Sequence, residues 1–190
     1  MRSDARAALA ALATAVLAGG AVAQPADTAL CTTCHGPGGN SAAPAVPSIA
    51  GQPAAFLENQ LVMIREGLRE LPAMAPVMRG LSDAQISALA KHYATQPVNY
   101  APGPAKPELM ARGAAVSKGG QCGSCHLPDY RGQQAVPRLG GQQEVYLLAT
   151  MKMYRDAPLP GRDTQMQNVL RGIPDADLAA LAHYFSHTGK

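Results

Sequence analysis

Hydrophobic residues recur at helical spacing in four segments, which form two similar pairs. The first segment of each pair follows a Gly-Gln step and carries one apolar stripe: Phe56, Leu57, Leu61 and Ile64, matched by Tyr146, Leu147, Met151 and Tyr154. The second segments carry Ile86, Leu89, Ala90 and Tyr93, matched by Leu178, Leu181, Ala182 and Phe185. The strict alternation of a half-buried strand is missing. The pattern therefore predicts an all-α fold.

The sequence also indicates where the final helix of each half begins. In the first half of the chain, Ser82 lies just before the last helical segment, and Gln85 follows three residues later. This is the sequence pattern of a capping box. In the second half Pro174 lies near the first turn, where its missing N–H costs little.

Composition narrows the class of protein. The 190 residues include 19 Gly and 16 Pro, which favours short helices joined by irregular loops. Aromatic residues make up only 4% and Trp is missing, so the core is filled by Leu, Met and Ala or by a non-protein group. The net charge is +3 and the basic residues are scattered, so we expect no nucleic-acid partner.

The chain repeats itself after about 90 residues, which indicates a duplicated domain. Cys31-Thr-Thr-Cys34-His35 returns as Cys122-Gly-Ser-Cys125-His126, and the Val-Pro-x-Ile/Leu-x-Gly-Gln segment also returns. The two copies are separated by a proline-rich stretch that cannot be a helix interior. We predict a first domain over residues 24–97, a linker over 98–105 and a second domain over 106–190.

The N-terminus has the pattern of an export signal. Arg2 and Arg6 precede a small, apolar run, and Ala21-Val22-Ala23 supplies a signal-peptidase site. The apolar run is too short for a mature membrane span. We therefore predict a cleaved signal peptide over residues 1–23, with an uncleaved anchor as the alternative, and a periplasmic location.

Two C-x-x-C-H motifs in an exported chain indicate two covalently attached haem c groups. Cys31 and Cys34 would bind the two vinyl groups of one porphyrin, with His35 as an iron ligand; Cys122, Cys125 and His126 would do so for the second. A four-cysteine zinc site, thioredoxin-like redox motifs and disulfides are the alternatives. Each pair carries its own His and lacks a βαβ context, which favours haem.

A second axial ligand must come from elsewhere in each copy. His92, His183 and His187 have no counterparts in the other copy and are expected at the surface or on helix flanks. Met74 and Met166 do correspond, each lying seven residues before the start of the last helical segment. Met63 and Met153 also correspond but fall within a helix. Met78, which aligns with Leu170, is the competing ligand in the first copy.

The duplicated motif, the Val-Pro-x-Ile/Leu-x-Gly-Gln step and the Met before Leu-Ser-Asp resemble the dihaem cytochromes c4. The resemblance implies tandem class I cytochrome c domains, with two His/Met haems facing each other across a pseudo-twofold interface. It implies an electron carrier of the bacterial periplasm, soluble or peripherally attached to the membrane. The implied donor is a quinol-oxidising complex and the implied acceptor a terminal oxidase or reductase.

The same resemblance assigns a role to Pro47 and Pro137. In that family the corresponding proline carbonyl accepts the Nδ1–H of the haem-ligating histidine. One departure is that a class I domain has a helix before its cysteines. Residues 108–117 leave room for it in the second copy, with Gly113 available for close contact, whereas the first copy has almost no mature chain before Cys31.

Electron transfer without catalysis is the leading functional prediction, and no catalytic residue is expected. A dihaem peroxidase would need an open iron, which the recurring Met disfavours. A thiosulfate-oxidising haem with a cysteine ligand is disfavoured because all four cysteines lie in attachment motifs. The main alternative is a dedicated electron-transfer cytochrome subunit of a periplasmic dehydrogenase.

Overall fold

A computed structural model of the chain describes residues 27–157 and 163–189, and the predicted signal peptide lies outside this range. Within it, four α-helices precede the linker: α1 (Ala29–His35), α2 (Ala54–Arg65), α3 (Ala75–Met78) and α4 (Asp83–Ala94). Five follow it: α5 (Pro107–Gly119), α6 (Cys122–His126), α7 (Glu144–Asp156), α8 (Thr164–Leu170) and α9 (Asp175–Ser186). The described residues form no β-strand, only one isolated bridge between Gln133 and Val136. The all-α prediction is confirmed.

The two final helices form the centres of the two cores, as their apolar stripes predict. The four stripe residues of α4 and the four of α9 are all buried. Helix α2 packs on α4, and α7 packs on α9. The Ser82–Gln85 capping box is present, because Ser82 Oγ accepts from Gln85 N while Gln85 Oε1 accepts from Ser82 N.

The second domain has the helix before the cysteines that the sequence left room for. Helix α5 crosses α9 so closely that a Cβ atom at Gly113 would lie 2.3 Å from Ala180 O and 2.5 Å from Tyr184 Cβ. Only glycine fits at this crossing, because a methyl group there would overlap the backbone of α9.

The first domain lacks such a helix among its described residues. Its first element, α1, already contains Cys31, Cys34 and His35. Leu30, next to the motif, is 60% exposed. Whether residues 1–23 are removed lies outside the described residues, and the boundaries 24–97 and 106–190 stay predictions.

One prediction about the histidines is wrong. His183 is only 2% exposed, although the sequence pattern predicts a surface or helix-flank position. Its Nε2 accepts a hydrogen bond from Lys106 N at 2.9 Å, and its Nδ1 lies 3.0 Å from Glu144 Oε2. The start of α5 and the start of α7 therefore satisfy a polar ring inside the second domain. His92 is exposed, as expected.

Candidate cofactor sites at the two cysteine motifs

Each motif lies in one short helix, α1 or α6. The helix places the two cysteines, which are three residues apart in the sequence, on adjacent turns. Cys34 and Cys125 are exposed, whereas Cys31 and Cys122 are half-buried, and all four thiols are free. Burial raises the pKa of Cys31 and of Cys122. Among the described residues, neither pair of cysteines forms a disulfide.

The histidine that ends each motif is buried and fixed in orientation. His35 is 7% exposed and donates from Nδ1 to Pro47 O at 2.8 Å. His126 is 4% exposed and donates from Nδ1 to Pro137 O at the same distance. Because Nδ1 carries the proton, Nε2 offers its lone pair. Burial also lowers the pKa of His126, which favours the neutral ring that a metal needs.

The methionines separate into two environments. Met78 is 2% exposed and lies in the core with Ile64 and Ile86, and its counterpart Leu170 is buried in the other core. Met74 and Met166 are half-buried and pack against the edges of these cores. Met78 therefore occupies the same kind of position as a leucine, whereas Met74 and Met166 share a half-buried position that leaves each thioether available as a candidate metal ligand.

The donor set of each domain suits a haem c group. Two free thiols stand at the spacing that binds two vinyl groups, and an oriented neutral imidazole follows them. Among the described residues, Nε2 of neither ring has a hydrogen-bond partner within the protein. A zinc site would bring the two cysteine pairs to one ion, yet each pair lies beside its own histidine in its own domain.

Two further repeated residues carry contacts that sequence reasoning did not assign. Arg65 donates to Leu81 O at 2.9 Å and pairs with Asp83, and Arg155 donates to Ile173 O at 2.8 Å and pairs with Asp175. Arg65 therefore anchors the start of α4 to the end of α2, and Arg155 anchors the start of α9 to the end of α7. Arg65 and Arg155 occupy equivalent positions in the two repeats, and this correspondence is the feature of the sequence that could have identified them.

The interface between the domains is made of buried, hydrogen-bonded polar groups. Gln52, Gln142 and Gln143 are buried and bond to backbone atoms of the opposite domain. The Gly that precedes Gln52 or Gln142 adopts a positive φ, 63° at Gly51 and 69° at Gly141. This left-handed turn, which favours glycine, aims both glutamines across the interface.

Both domains are helical, and each holds two free thiols, an oriented histidine and a half-buried methionine. This arrangement defines a tandem c-type cytochrome. Residues 22–92 match the family described as cytochrome c oxidase, cbb3-type, subunit III, and residues 110–189 match the family described as cytochrome c. Cytochrome c4 of Pseudomonas aeruginosa is 34% identical over 178 residues, covering 88% of this chain and 88% of that protein. The chain belongs to the cytochrome c4 family.

Two further similarities bear on structure and partners. The crystal structure of reduced recombinant cytochrome c4 from Pseudomonas stutzeri superposes with a TM-score of 0.77 at 30% identity, covering 85% of this chain and 94% of that chain. A thiosulfate dehydrogenase electron acceptor from Thiomonas intermedia is 32% identical, covering 86% of this chain and 81% of that protein. The prediction of two tandem cytochrome c domains is confirmed.

Membership of the family fixes the coarse function. The protein carries two covalent haem c groups and transfers electrons. No helix in the described part of the chain combines the length and hydrophobicity that crossing a bilayer requires.

Proposed function

We propose that Cys31 and Cys34 attach one haem and that Cys122 and Cys125 attach the other. His35 and His126 would bind the two irons through Nε2, and Met74 and Met166 would each supply the second protein ligand. The observation that carries the assignment is the pair of histidines, which donate from Nδ1 to Pro47 O and Pro137 O in both domains. When bound, each haem supplies a one-electron couple.

The protein residues set the properties of that couple. The Nδ1 hydrogen bonds fix the tautomer and the plane of each ring and increase the basicity of the ligand. A neutral thioether stabilises ferrous iron relative to a second imidazole, so a His/Met pair keeps the reduction potential high. A high potential suits a carrier that delivers electrons to a terminal acceptor.

In the cell, we infer a periplasmic carrier between a quinol-oxidising complex and a terminal oxidase or reductase. Support comes from the signal-like N-terminus and from the relatives, which carry the name cytochrome c4. Cys34 and Cys125 lie at the surface, so a haem attached through them would be accessible to a partner protein at that edge. No residue is proposed to be catalytic.

The ligand assignment is tested by replacing methionines one at a time in the two-haem protein. Met74→His and Met166→His should each keep that iron six-coordinate and lower its potential on the order of 100 mV, a fraction of the ~0.8 V range that axial ligands span. A redox titration resolved by domain measures the shift. Met74→Leu should remove about half of the sulfur-to-iron charge-transfer absorption of the ferric protein.

Met78→Leu is the matched control, because the second domain already carries Leu170 at that position. It should leave the absorption and both potentials unchanged. If Met78→Leu removes the absorption while Met74→Leu does not, the ligand of the first domain is misassigned. Rapid binding of cyanide by the unaltered protein would indicate an open iron and would favour an enzyme instead.

A second role is favoured by two observations. A relative of similar length is named a thiosulfate dehydrogenase electron acceptor. In this chain, no described helix precedes α1, and Leu30 beside the first motif is 60% exposed. We therefore propose, as the alternative, a dedicated electron-transfer subunit whose dehydrogenase covers this edge of the first domain.

The two roles are separated by the donor that reduces the protein. A dedicated subunit should be reduced rapidly by a thiosulfate dehydrogenase with thiosulfate, and Leu30→Glu should slow this reduction about tenfold or more by placing a charge in the contact. The control Leu68→Glu changes another exposed leucine, 57% exposed, that lies outside both cysteine motifs in the sequence. A general carrier should instead be reduced by a quinol-oxidising complex and be insensitive to Leu30→Glu.

A further inference from the structure

Two buried glutamines reach across the domain interface in a reciprocal arrangement. Gln142 Nε2 donates to Ser48 O at 2.8 Å, and Gln142 Oε1 accepts from Ser48 N at 2.8 Å. Gln52 makes the same pair of bonds to Arg138, with both distances 2.9 Å. Each glutamine of one domain therefore holds one residue of the other by both its N–H and its C=O.

The residues that the glutamines hold directly follow the two prolines of the haem sites. The N–H of Ser48 and the C=O of Pro47 belong to one peptide group, and that C=O accepts from His35 Nδ1. The N–H of Arg138 and the C=O of Pro137 likewise form one peptide group, which accepts from His126 Nδ1. A continuous hydrogen-bonded chain thus runs from each histidine through one peptide group to a glutamine of the opposite domain.

A peptide group transmits polarisation from one end to the other. Resonance links its N–H and C=O, so that donation from the N–H increases the negative charge on the carbonyl oxygen. A more negative carbonyl draws the Nδ1 proton more strongly and makes Nε2 a better donor to iron. Stronger donation stabilises ferric iron and lowers the reduction potential.

We propose that the two glutamines tune the haems crosswise: Gln142 of the second domain lowers the potential of the first haem, and Gln52 lowers that of the second. The proposal rests on the proposed function, since it takes His35 and His126 as the iron ligands. Both glutamines are positioning residues, because they act through a peptide group and do not touch the ligand. The docking of the two domains then adjusts both electron-transfer centres.

The competing explanation is that the glutamines only hold the domains together. Gln143 distinguishes the two, because it lies at the same interface, is 5% exposed and donates from Nε2 to Ser41 O in the opposite domain. Its side chain does not bond to the Pro47–Ser48 or Pro137–Arg138 peptide group. Replacing its side chain removes an interdomain bond but keeps the main-chain N–H of residue 143, which donates to Gln142 Oε1.

The experiment compares Gln142→Leu, Gln52→Leu and Gln143→Leu in the full-length protein with both haems bound. Each potential is assigned to its domain by its displacement in a Met74→His or Met166→His background. Gln142→Leu should change the reduction equilibrium of the first haem about threefold, or about 28 mV upward at about 59 mV per tenfold change. Gln52→Leu should do the same for the second haem only, and Gln143→Leu should change neither.

Two readouts apart from the potentials test the chain of bonds directly. Gln142→Leu should speed hydrogen exchange of the Ser48 amide, and Gln52→Leu that of the Arg138 amide, each without affecting the other. The iron–histidine stretching frequency of the ferrous haem, read in a variant whose thioether is displaced, should fall only in the domain opposite the substitution.

Several outcomes would overturn the proposal. Equal shifts of both potentials in either variant, or the same shift in Gln143→Leu, would show that the glutamines only dock the domains. Unchanged Ser48 exchange in Gln142→Leu would show that the bond is missing in solution. Absence of any iron–histidine stretch in the thioether-displaced protein that still carries both glutamines would reject the ligand assignment itself, whereas a stretch that no glutamine variant moves would reject only the crosswise tuning.

Discussion

The two domains share one cofactor site but differ in how the final helix is covered. In the second domain α5 (Pro107–Gly119) lies across α9, and Ala180 at the crossing is fully buried. In the first domain no described helix lies across α4 at the corresponding place. There the residue aligned with Ala180 is Ala88, which is half-buried, and the residue aligned with Tyr184 is His92, which is exposed. This face of α4 is therefore partly open.

The comparison shows which contacts the site requires. The histidine-to-proline hydrogen bond is 2.8 Å in both domains, so the orientation of the ligand does not depend on the covering helix. The stripes of α4 and α9 are also buried in both domains. Helix α5 therefore adds apolar burial to the second domain, and the orientation of the histidine does not require it.

The largest difference should appear when the domains are separated. We expect residues 106–190 to fold around one haem and to melt cooperatively, because this half has its covering helix. Residues 24–97 should be less stable by about 2–3 kcal/mol, which corresponds to roughly 10–20 °C in melting temperature for a domain of this size. Haem content and thermal unfolding of both halves, each with its haem attached during expression, provide the measurement.

The full-length protein provides the control for this dissection. If the first half retains its haem and melts above the second half, the covering helix is not the source of the difference. If the first half is unstable alone but stable in the full-length protein, the interface between the domains would be the source of the stability that the isolated half lacks.

A smaller effect is expected from closing the space at the α5–α9 crossing. Gly113→Ala places a Cβ atom 2.3 Å from Ala180 O, so α5 must move away from α9. We expect a loss of about 1–2 kcal/mol in the stability of the second domain, within the range typical of overpacking a tight contact. The unfolding transition of the first domain should not change.

Gly119→Ala is the matched substitution, since it lies on the same helix and no heavy atom lies within 4 Å of the added carbon. It should be neutral or stabilising by up to about 1 kcal/mol, because alanine has the higher helix propensity. Similar losses at both positions would mean that the crossing is not the tight contact described above.

The smallest expected effect concerns the ion pairs at the start of the final helices. Asp175 accepts from Lys152 Nζ at 2.6 Å and from Arg155 at 2.7 Å, whereas Asp83 pairs with Arg65 at 2.8 Å. The hydrogen bond from Lys152 and then that from Arg155 lower the pKa of Asp175. A lowered folded-state pKa contributes stability above the unfolded value of about 3.9, and this stability disappears as the pH falls.

Asp175→Asn should therefore lower the melting temperature slightly at pH 7, and the deficit should shrink below about pH 4, where the carboxylate of the unfolded state is protonated. Asp83→Asn should have the weaker effect, since its carboxylate has one cationic partner among the described residues. Thermal melts of both variants across this pH range give the comparison. A deficit that does not depend on pH would assign the effect to packing rather than charge.

The sequence by itself determined the elements and most of the candidate site. Apolar spacing predicted the buried faces of α4 and α9, and the Ser82–Gln85 pattern predicted a capping box that the structure contains. These features are readable because each depends on residues within a few positions of one another, whose spacing fixes which side of a helix they share.

Tertiary structure alone decided where distant polar groups find their partners. His183 is buried because Lys106 and Glu144, at the starts of two other helices, satisfy its ring. Gln52 and Gln142 bond to residues 86 and 94 positions away, across the domain interface. A buried polar side chain is stable only where its hydrogen bonds are made, and the folded arrangement of two domains, rather than any local pattern, supplies those partners.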